Sequence, residues 1–200
     1  METEGKNKDL SSQINVLKTI IMKSEKLKKI LEILDKNFDY DYYVAAGAIN
    51  QTVFNYYHGF EIDNGIDDVD IVYFEPDLSY EKEDEIIKKL SFLLKDVNIK
   101  LDIKNQARVH LWYKNKYKRD VRENDSVETA ISRWCSTVTC IGVKMSNENF
   151  KVFVPYGLND LFKMVIRPVK ENVTKEDYDK KCLKWKKKWP LLTIIPWDNN

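Results

Sequence analysis

Glycine and proline are scarce, six and five in 200 residues, which excludes a collagen-like or a Pro/Gly-rich disordered chain. Cysteine is scarcer still. Cys135, Cys140 and Cys182 are an odd number without metal-ligand spacing, so neither a disulfide framework nor a zinc site is expected, and the thiols are read as reduced. An excess of charge of either sign is missing too: 33 basic side chains against 32 acidic ones leave a formal net charge of +1. No overall field then draws the protein to nucleic acid or to an anionic membrane, and any polyanion site must be local. No apolar run approaches the roughly 18 residues of a membrane span, and the Met1 end lacks the basic, apolar and small-residue series of a signal peptide. The expectation is a cytoplasmic protein with no membrane partner.

Hydrophobic residues make up 43% of the chain and charged residues 32%. At this length they fill one α/β core, with room for a small helical appendage. Residues 1–36 read as a helical segment packed on a domain of residues 37–200. In that segment Leu10, Ile14, Leu17 and Ile21, then Leu27, Ile30, Leu31 and Leu34, recur at helical spacing, with Ser24 placed to cap the second helix. Beyond it the pattern predicts a strand over Tyr40 to Val44, a small-residue turn at Ala45 to Ala48, a helix over Ile49 to Tyr57 and a strand over Val69 to Phe74. A helix over Glu81 to Lys95 and a strand over Val97 to Ile103 follow. Helices are expected at Asn105 to Tyr113 and at Ser126 to Trp134, the latter with Asp125 and Glu128 at capping-box spacing. A hairpin turning at Ser146-Asn147 comes next, then helices near Leu158 to Val165 and Lys175 to Lys187.

Asp68 and Asp70 precede and interrupt a β-branched, aromatic run, where a charge without a compensating partner is costly. Two apart on a strand, they leave one face of the sheet within a few ångströms of each other. Mg²⁺ takes oxygen ligands and commonly binds through one or two carboxylates plus substrate phosphates, so the pair suits a metal-bound nucleotide. Asp102, between Leu101 and Ile103, is a third charge among apolar neighbours. If its strand pairs beside Val69 to Phe74, the three converge, and Asp102 is the general base or the ligand nearest the nucleophile. Against this stands the simpler reading of an Asp pair that caps a turn. Gly47 ahead of a helix adds weight to the first, because backbone N–H groups at a helix N-terminus bind phosphate.

The blocks Ala46-Gly47-Ala48-Ile49-Asn50, Asp68-Val69-Asp70-Ile71-Val72-Tyr73-Phe74 and Lys104 to Tyr113 occur in an order that resembles a bacterial nucleotidyltransferase-like family once known as domain of unknown function 925. Ser132-Arg133-Trp134, Thr137 to Val143, Pro155 to Phe162, Lys184-Trp185 and Trp189-Pro190 extend the resemblance over roughly residues 40 to 195. It implies a polymerase-β-like nucleotidyltransferase fold, an α/β (α+β) domain whose mixed sheet is flanked by helices, here with an N-terminal helical extension. Asp68, Asp70 and Asp102 fill the family's acidic positions. The implied reaction is attack of an acceptor hydroxyl on the α-phosphorus of a nucleoside triphosphate, with pyrophosphate leaving and Mg²⁺ or Mn²⁺ as cofactor. Where many members of the superfamily have Gly-Gly or Gly-Ser, this chain has Ala46-Gly47-Ala48, so phosphate contact falls to backbone N–H groups and to Asn50.

Arg108 has the planar fork to clamp a phosphate but equally the character of a buried structural ion pair. Lys104, Lys163 and Arg167 are cations available to the triphosphate, or solvated face charges. His110 reads as a core histidine. Lys184 to Lys188, with Trp185 and Trp189, read as a helix end packed on the domain in preference to a nucleic-acid platform. A neutral chain with no evident nucleic-acid module favours a small hydroxyl acceptor over nucleic acid or protein. The alternative to the enzyme is a weak or inactive nucleotide- or metal-binding regulatory module on the same fold, and a third reading is a structural α/β domain.

Overall fold

The computed structural model describes residues 4–199; the Met1 end, on which the leader reading rests, lies outside the described residues. The N-terminal segment forms two helices, α1 (Leu10–Ile21) and α2 (Glu25–Asn37). Ser24 caps α2 by accepting the Leu27 N–H, as its spacing predicts. Five strands form a mixed sheet: β1 (Asp41–Ala45), β2 (Asp68–Phe74), β3 (Lys100–Asn105), β4 (Gly142–Ser146) and β5 (Asn149–Phe153). Their spatial order is β3-β2-β1-β4-β5. β1 runs antiparallel to both neighbours, and helix α3 (Gly47–His58) connects it to β2. β2 and β3 are parallel, which requires a crossover, supplied by helix α4 (Tyr80–Leu93).

The strand period of two gives the sheet two different faces. Val69, Ile71 and Tyr73 of β2 point into the main core with Val44, Ile103 and Val143, where Leu17, Ile20, Ile30 and Leu34 of α1 and α2 and Ile49 and Val53 of α3 meet them. The opposite face carries Asp68, Asp70 and Val72, and a smaller cluster of Tyr43, Ala45, Val72, Val127 and Ile131 covers only part of it. The last two belong to helix α6 (Val127–Ser132). Asp35, near the end of α2, accepts the N–H groups of Asn147 and Glu148, fastening that helix to the tip of the β4–β5 hairpin. Those two residues hold positive φ, 51° and 64°, the backbone of a two-residue hairpin turn.

Several elements depart from their sequence reading. β3 begins at Lys100, not Val97, because the Val97 N–H closes a turn on the Leu94 carbonyl. The stretch after Asn105 opens with a single 3₁₀ turn, Gln106–Arg108, before helix α5 (Val109–Tyr117). α6 is capped by Ser126, which accepts the Thr129 N–H, while Glu128 accepts a hydrogen bond from the Tyr43 hydroxyl at 2.8 Å, so the capping box at Asp125 is not formed. The helix expected over Leu158 to Val165 is the single turn α7 (Asn159–Phe162). Met164, at φ 58°, ends it, and Val165–Ile166 (β6) then pairs in parallel with Thr193–Ile194 (β7). Helix α8 (Lys175–Lys188) buries Tyr178, Cys182 and Trp185. Trp189 is fully buried, its indole N–H donating to Asn55 Oδ1 at 2.8 Å. The cysteines are free thiols, and among the described residues no helix is long and apolar enough to cross a membrane.

Candidate functional site

Asp70 and Asp102 are register partners across the parallel β2–β3 ladder, so their side chains rise side by side from one face at the spacing of neighbouring strands, about 4.8 Å. Asp68 lies one pleat back on β2, opposite Lys100. On the other flank of Asp70 the register partner is Ala45, the last residue of β1. The three carboxylates therefore share a face, and the chain turns into α3 directly beside the middle one.

Burial, reinforced by the Asp102 and then the Asp68 carboxylate, pushes the Asp70 carboxyl up to about 6; Lys104 and Lys181 oppose the rise. Lys104, one pleat beyond Asp102 on β3, ion-pairs with it. Among the described residues no three carboxylate, imidazole or thiol groups are gathered closely enough to hold a metal ion by themselves. The donor set nevertheless suits a hard cation: these are oxygen ligands, their mutual repulsion calls for positive charge, and an ammonium already supplies it at Asp102. Mg²⁺ ordinarily takes one or two carboxylates and completes its shell with phosphate and water, which is what such a face offers.

The turn into α3 is strained. Ala46 adopts φ 51°, ψ −123°, a region natural to glycine, and is held there by its N–H bond to the Ile141 carbonyl. Its own carbonyl accepts from Ile49 and Asn50, so the helix is already wound within its first turn while the N–H groups of Gly47 and Ala48 stand at its open end. A Cβ on Gly47 would come within 2.9 Å of the flexible end of Gln51. Asn50 does not face this end. It is fully buried, with its amide donating to the Val138 carbonyl at 3.2 Å, so it ties α3 to the segment before β4.

Ala46, Asp70 and Lys104 line a cavity of about 320 Å³. Its walls are largely aromatic and apolar: Val109, Trp112, Tyr113 and Tyr117 from α5, Trp134 after α6, and Val173 before α8. Arg133, Cys135, Thr139 and Lys181 are also among its lining residues, whereas Asp68 and Asp102 are not. Arg108 is outside this lining: 13% exposed, it ion-pairs with Glu83 of α4, which also accepts the Asn105 N–H, so it fastens the end of β3. His110 lies 3.6 Å from Glu123, also outside the lining. Arg167 pairs with Asp160, and Lys163 is exposed and outside the lining. Sequence reasoning passed over Lys181 and Trp134. Trp134 stands in one of the blocks that carry the family resemblance, but nothing local distinguishes Lys181 from the other lysines of α8.

A family described as Nucleotidyltransferase matches residues 39–194. No curated protein matches the chain. Among solved structures, one reported by NMR as revealing a CCA-adding enzyme head domain superposes with a TM-score of 0.73 at 25% identity, covering 91% of this chain and 95% of that one.

Proposed function

Since the chain belongs to the nucleotidyltransferase family that matches residues 39–194, we propose that the carboxylate face is its catalytic centre and moves a nucleoside monophosphate from a triphosphate to an acceptor hydroxyl with the help of Mg²⁺ or Mn²⁺. The observation that carries this reading is the pairing of Asp70 with Asp102 across β2–β3, directly beside the N-terminus of α3. Asp68 and Asp70 would hold the cation, with Asp102 as third ligand. A divalent cation there supplies charge neutralisation for the triphosphate and for the departing pyrophosphate.

The chain's own groups do the rest. The N–H groups at the start of α3 point positive dipole at the triphosphate. Gly47 keeps side-chain bulk out of that approach. Asp102 takes the proton of the attacking hydroxyl once Lys104 has moved off it, and Lys104, freed, is a cation for the phosphates. The aromatic side chains that line the cavity beside Asp70 would offer flat faces to the nucleotide base or the acceptor. Asn50 and Arg108 contribute by fixing the loop before β4 and the end of β3, not by touching nucleotide.

Isothermal titration of the protein with each nucleoside triphosphate, with and without Mg²⁺, tests the assignment. Metal-dependent binding that Asp68→Asn/Asp70→Asn abolishes is the expected result; binding indifferent to that double substitution removes the carboxylates from the site. The Lys104–Asp102 ion pair favours one alternative, a nucleotide-binding regulatory module in which the general base stays occupied. Triphosphate binding with no pyrophosphate release under any acceptor would select it.

A further inference from the structure

The chain is neutral overall, yet Lys180 to Lys188 contains six lysines and no acidic residue. The structure divides these lysines by role. Lys186 donates to the Pro190 and Leu192 carbonyls and Lys188 to the Gly65 carbonyl, so both are anchored to backbone. Lys180, Lys184 and Lys187 are exposed on α8, and the helical spacing of four and three sets them in one stripe. No salt bridge engages them among the described residues. Glu176 and Asp179 share the face but lie toward its N-terminal end. Lys181, next to the stripe, reaches the catalytic cavity. The same cavity is lined by Trp112, Tyr113 and Tyr117, on a helix that also carries Lys114 and Lys116.

We propose that the acceptor is a single-stranded nucleic acid, its phosphate backbone tracked by Lys180, Lys184 and Lys187 and its 3′ end delivered past Lys181 onto the aromatic wall. This rests on the nucleotidyl-transfer reading of the carboxylate face. A phosphate repeat is the complement of a lysine row that makes no ion pair among the described residues and whose acidic neighbours are confined to one end, and aromatic faces stack bases without demanding a sequence. A small acceptor needs the cavity but has no use for a row of cations that continues along the helix outside it. The step balances: the terminal 3′-oxygen bonds to the α-phosphorus, its proton passes to Asp102, and the α–β phosphoanhydride bond breaks with both electrons leaving on pyrophosphate.

Fluorescence anisotropy of the full chain with short labelled single-stranded RNA and DNA, each with a free 3′-hydroxyl, tests this. Binding of either strand should weaken with salt. Lys180→Ala/Lys184→Ala/Lys187→Ala should lower affinity at least about tenfold and flatten the log–log salt slope by about 2, three phosphate contacts at ~0.7 each. The control Lys18→Ala/Lys88→Ala/Lys89→Ala, which removes the same charge elsewhere, should change little. The proposal is overturned if the parent binds neither strand, if the α8 variant binds as the parent does, if the control loses as much affinity, or if poly-glutamate competes as well as nucleic acid. Triphosphate titration of the parent and the α8 variant separates the two readings: failure there sinks the catalytic assignment, while the strand-binding arms still decide the fate of the stripe.

Discussion

Asp70 and Asp102 face each other across a parallel ladder, and their proximity, added to burial, leaves Asp70 with a carboxyl that ionises only near pH 6. In a protein built for stability alone, two carboxylates at adjoining register positions on a half-covered face are a liability. Lys104 ion-pairs with Asp102 and, together with Lys181, only partly offsets the repulsion at Asp70.

The sign of the pH effect follows. Asp70 titrates at 3.8 in an unperturbed setting and at about 6 in the fold, so the native state holds its proton more tightly than the unfolded chain. Its contribution to stability is therefore full below about pH 4, falls as pH rises toward 6, and is lost above that, by up to about 3 kcal/mol at ~1.4 kcal/mol per unit. With chelator present, Asp70→Asn should be the more stable protein above pH 6, and the gap should close on acidification. Mg²⁺ should stabilise the parent there but not the variant. Denaturation midpoints of both proteins across this range provide the measurement; parallel curves would show that Asp70 is not repelled.

Ala46→Gly should stabilise the protein by about 1 kcal/mol. Relief of a non-glycine residue at φ 51°, ψ −123° outweighs the added freedom of the unfolded chain. Thermal melts decide it, and a loss of stability would mean that the Ala46 methyl contributes more by packing than its backbone costs.

Arg108→Met should destabilise the fold by roughly 3–5 kcal/mol, because Glu83, only 16% exposed, would be left without its counter-charge. Adding Glu83→Gln should recover part of that loss. Triphosphate affinity of the folded fraction should be unchanged; an affinity drop without a stability change would return Arg108 to the role of phosphate clamp.

The thiols should differ in reactivity. Burial pushes Cys140 up to about 12 and Cys182 to about 11, whereas Cys135 is half-buried and lines the cavity. Under native conditions alkylation should reach Cys135 first, and Mg²⁺ with triphosphate should slow it. Mass spectrometry of the modified chain reads the order; equal reaction at all three would mean that the interior opens readily.

Periodicity made most of the fold legible. Leu27, Ile30, Leu31 and Leu34 mark α2 by their spacing, and Ser24 marks its start. The carboxylates were legible for a different reason, since a charge inside a β-branched run violates the burial pattern around it. What escaped depends on distant partners. Asp125 and Ser126 both have the chemistry of a cap, and the local sequence does not say which side-chain oxygen will accept the first-turn N–H groups of α6. β6 and β7 are two residues each, too short for any alternation, and exist because each supplies the other's hydrogen bonds. Asn50 looks like a phosphate ligand beside Gly47 until the Val138 carbonyl occupies its amide. Lys181 earns its place only from where α8 crosses the cavity.

The two N-terminal helices lie outside the stretch that matches the family, yet Leu17, Ile20, Ile30 and Leu34 are buried in the same core as the strands that carry the carboxylates. A chain trimmed to residues 39–194 would lose the hydrophobic backing of its carboxylate-bearing sheet and the Asp35 clasp on the hairpin. The helices are thus no detachable module: where the family boundary falls in sequence is not where the folding unit can be cut.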